Sequence, residues 1–262
     1  MLKAVRVIAY QNMANYRRPT AIAVQDSFKL PPYSTVIGLI HTACGFTEYH
    51  PMKISIVGSS KSSLVDMYTR YYHSGMKLEM DRHQLYVENN PGNILGGYAK
   101  PTVDANGKIG ITRSLGYAQL MVDVELAIYI VPDNPDELEV IKYGLLNPVR
   151  YPALGRHEDI LRIDNVEIVT LCKQSDDEEE SIPFSMAYDA LIPLDVYDEL
   201  ELNSLGTIYN MNKVFQIDKA GKETSRKIVE RVKAKLIKGG TTFTVNALYD
   251  TYLGKKIGVF MA

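Results

Sequence analysis

The feature that most constrains this chain is the order of its strand-like and helix-like stretches. Residues 3–10, KAVRVIAY, set Val5, Val7 and Ala9 at alternate positions, the period of a strand. Pro31-Pro32 cannot continue a helix but can introduce one, Ser34 or Thr35 offers an N-cap before VIGLIHTAC, and Gly45 is placed to end it. KISIVGSS at 53–60 returns to strand character. The same succession recurs later. Residues 117–131, YAQLMVDVELAIYIV, read as a long core strand, and Asn134-Pro135-Asp136-Glu137 opens a helix with cap, proline and acidic first turn in order. Leu138, Ile141 and Leu145 give that helix one apolar face, Asn147-Pro148 closes it, and after VRYPALGRHED residues 160–171 form another strand.

Two β-α-β units in series predict an α+β fold of the ferredoxin-like (RRM-like) βαββαβ kind, an antiparallel sheet covered on one face by two helices. The interval between them, about 61–115, reads as an inserted β-hairpin. Its short tyrosine-rich strands are separated by Asn-Pro-Gly, Gly-Gly and Asp-Ala-Asn-Gly turn signals. The expected organisation is residues 1–172 as one domain carrying this insertion, and 173–262 as a small β-rich C-terminal region. Within the latter, 226–238 suits a strand or a helix, since Val229, Val232 and Leu236 fit both periods, and DDEEE at 176–180 reads as a solvated linker.

Composition enters where function is concerned. The 262 residues are 46% hydrophobic and 23% charged, enough to bury a core. The formal charge of −2 argues against a uniformly basic nucleic-acid binder, but it is a sum of opposites. Residues 1–115 hold 13 basic and 7 acidic side chains, net +6, and residues 116–262 hold 16 and 24, net −8, so a basic face in the first half is compatible with the total. Two separated cysteines, Cys44 and Cys172, make neither a disulfide framework nor a metal pair and suit a reducing cytoplasm. No apolar run suits a signal peptide or a membrane span. The 18 tyrosines are read first as half-buried sheet residues.

No nucleotide-binding, zinc-protease or serine-hydrolase signature occurs, the five histidines lack metal-ligand spacing, and no cofactor is expected. Three constellations remain. Tyr16-Arg17-Arg18-Pro19 follows the first strand, where two guanidiniums beside an aromatic can clamp phosphate and stack on a base, or form a solvated turn. On the first helix, Val36, Ile37, Ile40, Ala43 and Cys44 mark the core face, leaving Thr35, Gly38 and Thr42, with Ser34 and His41 alongside, as a stripe of small polar groups that lets a backbone approach closely. Gly155-Arg156-His157-Glu158-Asp159 joins the second helix to the last strand, and Arg156 either contacts phosphate or pairs with Glu158 or Asp159.

These stretches carry a resemblance. YRRPTAIAVQDSFKLPPYSTVIGLIHTACG, followed by YPALGRHED, resembles the fifth CRISPR-associated (Cas) family of the RAMP superfamily, through PP-x-ST-x-x-G in an amphipathic helix and a downstream LGR-x-E. The resemblance covers most of 1–172. It implies a ferredoxin-like domain with a projecting thumb, and a subunit of a type I-B-like Cascade complex that caps the five-prime handle of the crRNA in antiviral defence. It also implies contacts with the backbone subunit of the seventh Cas family, through the thumb, and with the large Cascade subunit. By position, Tyr33, Ser34 and Thr35 on the first helix and Gly155 and Arg156 in the glycine loop become the expected RNA contacts. Arg17, Arg18, His41 and Arg113 join them on charge and place alone.

One branch of that family is a metal-independent ribonuclease that uses a tyrosine at the end of this helix and a later Lys-His pair. Here the helix ends Thr42-Ala43-Cys44-Gly45, and the chain has no Lys-His dipeptide. A general base must lie within hydrogen-bond reach of the ribose 2′-hydroxyl. The departure favours non-catalytic binding, with no catalytic residue assigned. The competing reading is a repeat-cleaving endoribonuclease that uses His41 or His157 with Tyr33.

Overall fold

The alternation in the first strand organises everything around it. In the computed structural model, which describes residues 2–21, 24–81, 83, 85–88, 108–173, 184–186, 188–200, 206–220, 223–243 and 247–262, the strands of four or more residues are β1 (Lys3–Ala14), β2 (Met52–Lys77), β3 (Leu85–Glu88), β4 (Lys108–Pro132), β5 (Arg162–Thr170), β6 (Asp189–Pro193), β7 (Thr207–Ala220), β8 (Glu223–Ile237), β9 (Leu248–Tyr252) and β10 (Lys255–Val259). The helices are α1 (Tyr33–Cys44), α2 (Glu137–Leu146) and the short α3 (Leu194–Glu199). Among the described residues no helix is long and apolar enough to cross a membrane.

The chain divides into two compact units, Met1–Pro19 with Asp26–Leu64 and Leu120–Ala262, and Thr20–Gln25 with Val65–Gln119. In the first, the sheet order is β7-β8-β6-β2-β4-β1-β5. β1 is antiparallel to both neighbours, with Val7 opposite Ile128 of β4 and Val166 of β5. Val5, Val7 and Ala9 pack into a core with Ile54, Ile56, Leu126, Ile128 and Ile130, closed by Val36, Ile37 and Ile40 of α1 and Ile141 and Leu145 of α2. Because side chains alternate along a strand, Ala4 and Ile8 face the other way, into a second core with Val57, Tyr129, Ile192, Ile237, Ile257 and Phe260. The sheet is therefore buried on both faces, where the sequence led us to expect a cover on one.

α1 begins one residue after Pro32, so Ser34 and Thr35 lie inside its first turn rather than capping it, and the amides of Thr35 and Val36 donate to the Pro32 carbonyl. Proline suits this position because its φ is already helical and it lacks the N–H a cap would have to satisfy. Gly45 ends the helix at φ 70°, in the left-handed region, and both it and Phe46 donate to the His41 carbonyl. α2 opens at the expected acidic turn, with Glu137 and Glu139 near its N-terminus.

The region from 173 onward does not stand apart from the first half. β6 pairs with β2 at Ala190–Val57 and Leu191–Ile56, and β8 and β7 extend the same sheet beyond it, which covers what would otherwise be an open edge. The ambiguous stretch 226–238 is strand as far as Ile237, where β8 ends. β9 and β10 form a hairpin that pairs with Cys172–Lys173 and supplies the second core.

The second unit is the outer part of β2 and β4 with β3, where Leu85 faces Ile111 and Tyr86 faces Gly110, and with Val24–Gln25 running parallel to Tyr117–Ala118. Gln25 donates to the Tyr68 hydroxyl at 2.8 Å and Lys108 lies 4.2 Å over the Tyr86 ring. The turn signals at 90–107, Arg82, the side chain of Tyr72 and the acidic run 176–180 lie outside the described residues.

Candidate nucleic-acid interface

The helical period that buries Val36, Ile37, Ile40 and Ala43 leaves Ser34, Thr35, Gly38, His41 and Thr42 on the opposite side of α1. There they form one wall of a cleft of about 1220 Å³. The remaining walls are the turn Phe46–Tyr49 after α1, residues 150–153 and 155–157 between α2 and β5, and the β7–β8 hairpin around Phe215 and Arg226. Gly38 is informative: a Cβ added there would meet nothing within 4 Å. Internal packing does not demand glycine at this point, although glycine weakens a helix interior by about 1 kcal/mol relative to alanine.

The glycine loop is built around Asp159, which is 2% exposed. Its Oδ2 accepts the backbone N–H groups of Asn15 and Arg156, each at 2.9 Å, and its carbonyl oxygen accepts the Gln11 side-chain amide and the Leu154 N–H. Gly155 sits at φ 112°, and a Cβ there would lie 2.8 Å from both the Asn15 carbonyl oxygen and Asp159 Oδ2. Only glycine fits so close an approach. Arg156 pairs with Asp159 at 2.7 Å and with Glu158 at 3.0 Å, the second of the two alternatives its sequence left open, while its side chain stays 24% exposed at the cleft.

His41 faces the cleft through an aromatic cluster. Its ring lies edge-on to Phe46 at 5.6 Å and to His50 at 5.9 Å, Phe46 stacks on His50 at 3.8 Å, and His50 Nδ1 is 2.9 Å from Glu137. Burial, then the neighbouring His50, holds the His41 pKa below its ordinary value, and its Nε2 has no partner among the described residues.

Other expected site residues lie elsewhere. Tyr33 is fully buried in the core, its hydroxyl donating to the Leu191 carbonyl, and burial pushes its pKa far up. Its ring offers a ligand no surface, because helical geometry turns it with Val36, Ile37 and Ile40. Tyr16 is likewise core, donating to Gln11 Oε1 at 2.6 Å. Arg18 is turned onto the Phe28 and Tyr209 rings, 5.4 Å from each, and donates to the Tyr209 hydroxyl at 3.1 Å. Arg17 is exposed on the short ladder formed by Tyr16–Arg17 and Ser27–Phe28, and Arg113 is exposed on β4 within the second unit.

The family model described as CRISPR-associated protein (Cas_Cas5) matches residues 6–243. The chain belongs to this family. A chain from a solved structure described as "CRISPR RNA-guided surveillance complex" is similar over 91% of both chains at 16% identity, with a TM-score of 0.51, and shares the fold. A second, described as "Crystal structure of a CRISPR protein from Archaeoglobus fulgidus", is aligned over 100% of both chains at 9% identity and a TM-score of 0.40. No curated protein sequence matches.

In this Cas_Cas5 chain, sequence reading missed the hairpin wall and the Asp159 scaffold. Asn212, Lys213, Phe215, Gln216 and Arg226 line the cleft, yet they come from the acidic half of the chain. The available signal was local: KVFQI and SRKIVER interleave basic and apolar residues at strand spacing. Among the described lining residues, Arg150, Arg156, Lys213 and Arg226 stand against one carboxylate, Glu48. Lys213 pairs with Glu230 at 3.0 Å, whereas Arg150 and Arg226 have no carboxylate partner among the described residues. Among those residues no group of three or more His, Cys, Asp or Glu could hold a metal ion.

Proposed function

We propose that this chain is a non-catalytic crRNA-binding subunit of a type I CRISPR Cascade complex, holding the repeat-derived five-prime handle in the cleft between α1 and the glycine loop. The observation that carries the reading is convergence: the small polar stripe of α1 and the Gly155–Arg156 loop, more than a hundred positions apart, line the same cation-rich cleft. A bare helix surface admits a sugar-phosphate backbone closely, and unpaired guanidiniums at the rim supply phosphate contacts. Family membership and the neighbour's printed description, an RNA-guided surveillance complex, support the same assignment. The strand order β2-β4-β1-β5, with α1 and α2 between, supports the ferredoxin-like reading of the first 172 residues. The second unit is then the thumb that meets the backbone subunit of the seventh Cas family, and a further surface meets the large subunit.

The ribonuclease alternative draws little from the geometry. Tyr33 is committed to the core, and His41 lies eight residues along the same helix, about 12 Å of rise away. His157 is paired with Glu158 on the surface. The test is incubation of the purified chain with its cognate repeat RNA in EDTA, read by gel and by binding. Saturable binding of the handle without a cut supports the proposal; a single specific cut abolished by His41→Ala overturns it.

A further inference from the structure

One wall of the cleft belongs to the β7–β8 hairpin. Along β7 the ladder shifts register between Asn212 and Phe215, after which Phe215 pairs with Ile228 and Ile217 with Arg226. A bulge of this kind re-aims the following side chains. The result is one hairpin face, Phe215, Ile217, Ile228 and Arg226, turned into the cleft. The Phe215 ring is half-buried, and the Arg226 guanidinium lies over it at 4.9 Å, exposed and without a carboxylate among the described residues. Arg150, equally exposed and without one, lines the same cleft.

An apolar ring with an exposed cation on its face, and a second cation lining the same cleft, matches the chemistry of a nucleotide: a flat base that stacks and an anionic phosphate beside it. We propose that Phe215 is a base-stacking platform for one unpaired nucleotide of the bound RNA, with Arg226 giving up the ring face to the base and turning to the adjoining phosphate. The proposal rests on the cleft being an RNA site. It assigns the C-terminal hairpin a part in recognition, so the RNA is gripped from two sides, by backbone approach at Gly38 and by stacking at Phe215. A carboxylate partner for Arg226 would have tied it to the hairpin, and a larger residue at Gly38 would have taken space from the cleft that Phe215 also lines.

The experiment uses the full chain and an oligoribonucleotide carrying the five-prime handle, with an abasic nucleotide placed at each position in turn. Phe215→Ala is expected to weaken binding about tenfold, Phe215→Tyr to restore it, and the salt dependence to stay unchanged in both. Arg226→Ala is expected to lower the slope of log affinity against log salt by about one. One abasic position should weaken wild-type binding by the same factor and leave Phe215→Ala unaffected. Equal affinity of wild type and Phe215→Ala for the intact handle, or additive losses at every abasic position, overturns the platform while leaving the cleft assignment standing. A wild-type chain that fails to bind the handle overturns the cleft assignment, and the platform with it.

Discussion

Arg6, on the first strand, and Asp250, on the ninth, lie 244 positions apart and form an ion pair at 2.8 Å, both side chains less than a tenth exposed. Arg6 also meets Glu167, and its guanidinium lies 4.6 Å from the centre of the Tyr252 ring, while Tyr129 donates to the same Asp250 oxygen. The period of β1 explains the arrangement. Val5 and Val7 go to the helix side, so Arg6 must go to the side that β9 and β10 cover, and its charge has to be answered there.

Removing the partner of a buried cation costs more than the pair contributes. Asp250→Ala is therefore expected to lower stability by about 3 kcal/mol, because Arg6 and the Tyr129 hydroxyl both lose an acceptor. Asp250→Asn, which keeps an acceptor oxygen, should lose less. Urea unfolding followed by circular dichroism measures both.

Gly38 permits a test in which stability and binding move in opposite directions. Alanine there meets nothing within the chain and favours the helix, so Gly38→Ala should raise stability by about 0.5–1 kcal/mol. If RNA uses that bare surface, the same variant binds the handle less tightly. A variant more stable than wild type with unchanged affinity would show that the approach at Gly38 is not used.

Acid should weaken the first unit through His41. Its folded-state pKa is lowered by burial first and by His50 second, so below the ordinary value of 6.5 the unfolded chain binds the proton more readily than the folded one. Stability is unaffected by this group above that pH and falls as pH drops through 6.5 toward the lower folded value. His50 and Glu137 are the titratable groups that interact with it. His41→Phe, which keeps the aromatic packing against Phe46 and Tyr49, should gain on wild type as pH falls from 7 to 5 in parallel thermal unfolding scans.

Arg17 and Arg18 should separate. Arg18 packs on Phe28 and Tyr209, so Arg18→Ala is expected to cost about 1 kcal/mol of stability. Arg17, exposed and outside the cleft, should leave unfolding within about 0.5 kcal/mol of wild type. Equal effects of the two on unfolding would contradict the packing described for Arg18.

Much of the first half was legible because its signals are local. Alternation at Val5, Val7 and Ala9, the prolines before α1, Gly45 at its end and the Asn-Pro-Asp-Glu opening of α2 each act within a few residues, and the elements formed where those signals lie. The polar stripe on α1 was legible for the same reason, since helical period alone separates Gly38 and His41 from Val36 and Ile40. The same period assigns Tyr33 to the core, yet the resemblance had offered its aromatic ring as an RNA contact. Arg156 kept two readings because its partners are neighbours in sequence, while the buried acid that fixes it, Asp159, owes its environment to Asn15 and Gln11, far upstream.

What the amino-acid order determined by itself is the succession of strands and helices and which face of each is apolar, because those depend on backbone preference and side-chain period. Tertiary structure alone decided that the sheet is buried on both faces, that Arg6 is answered by Asp250, and that a hairpin from the acidic half brings Phe215 and Arg226 to the cleft opposite α1. The physical reason is that an open sheet edge and a buried charge must be satisfied by whatever the folded chain brings near. Nothing within a few residues of β2 or Arg6 specifies that partner.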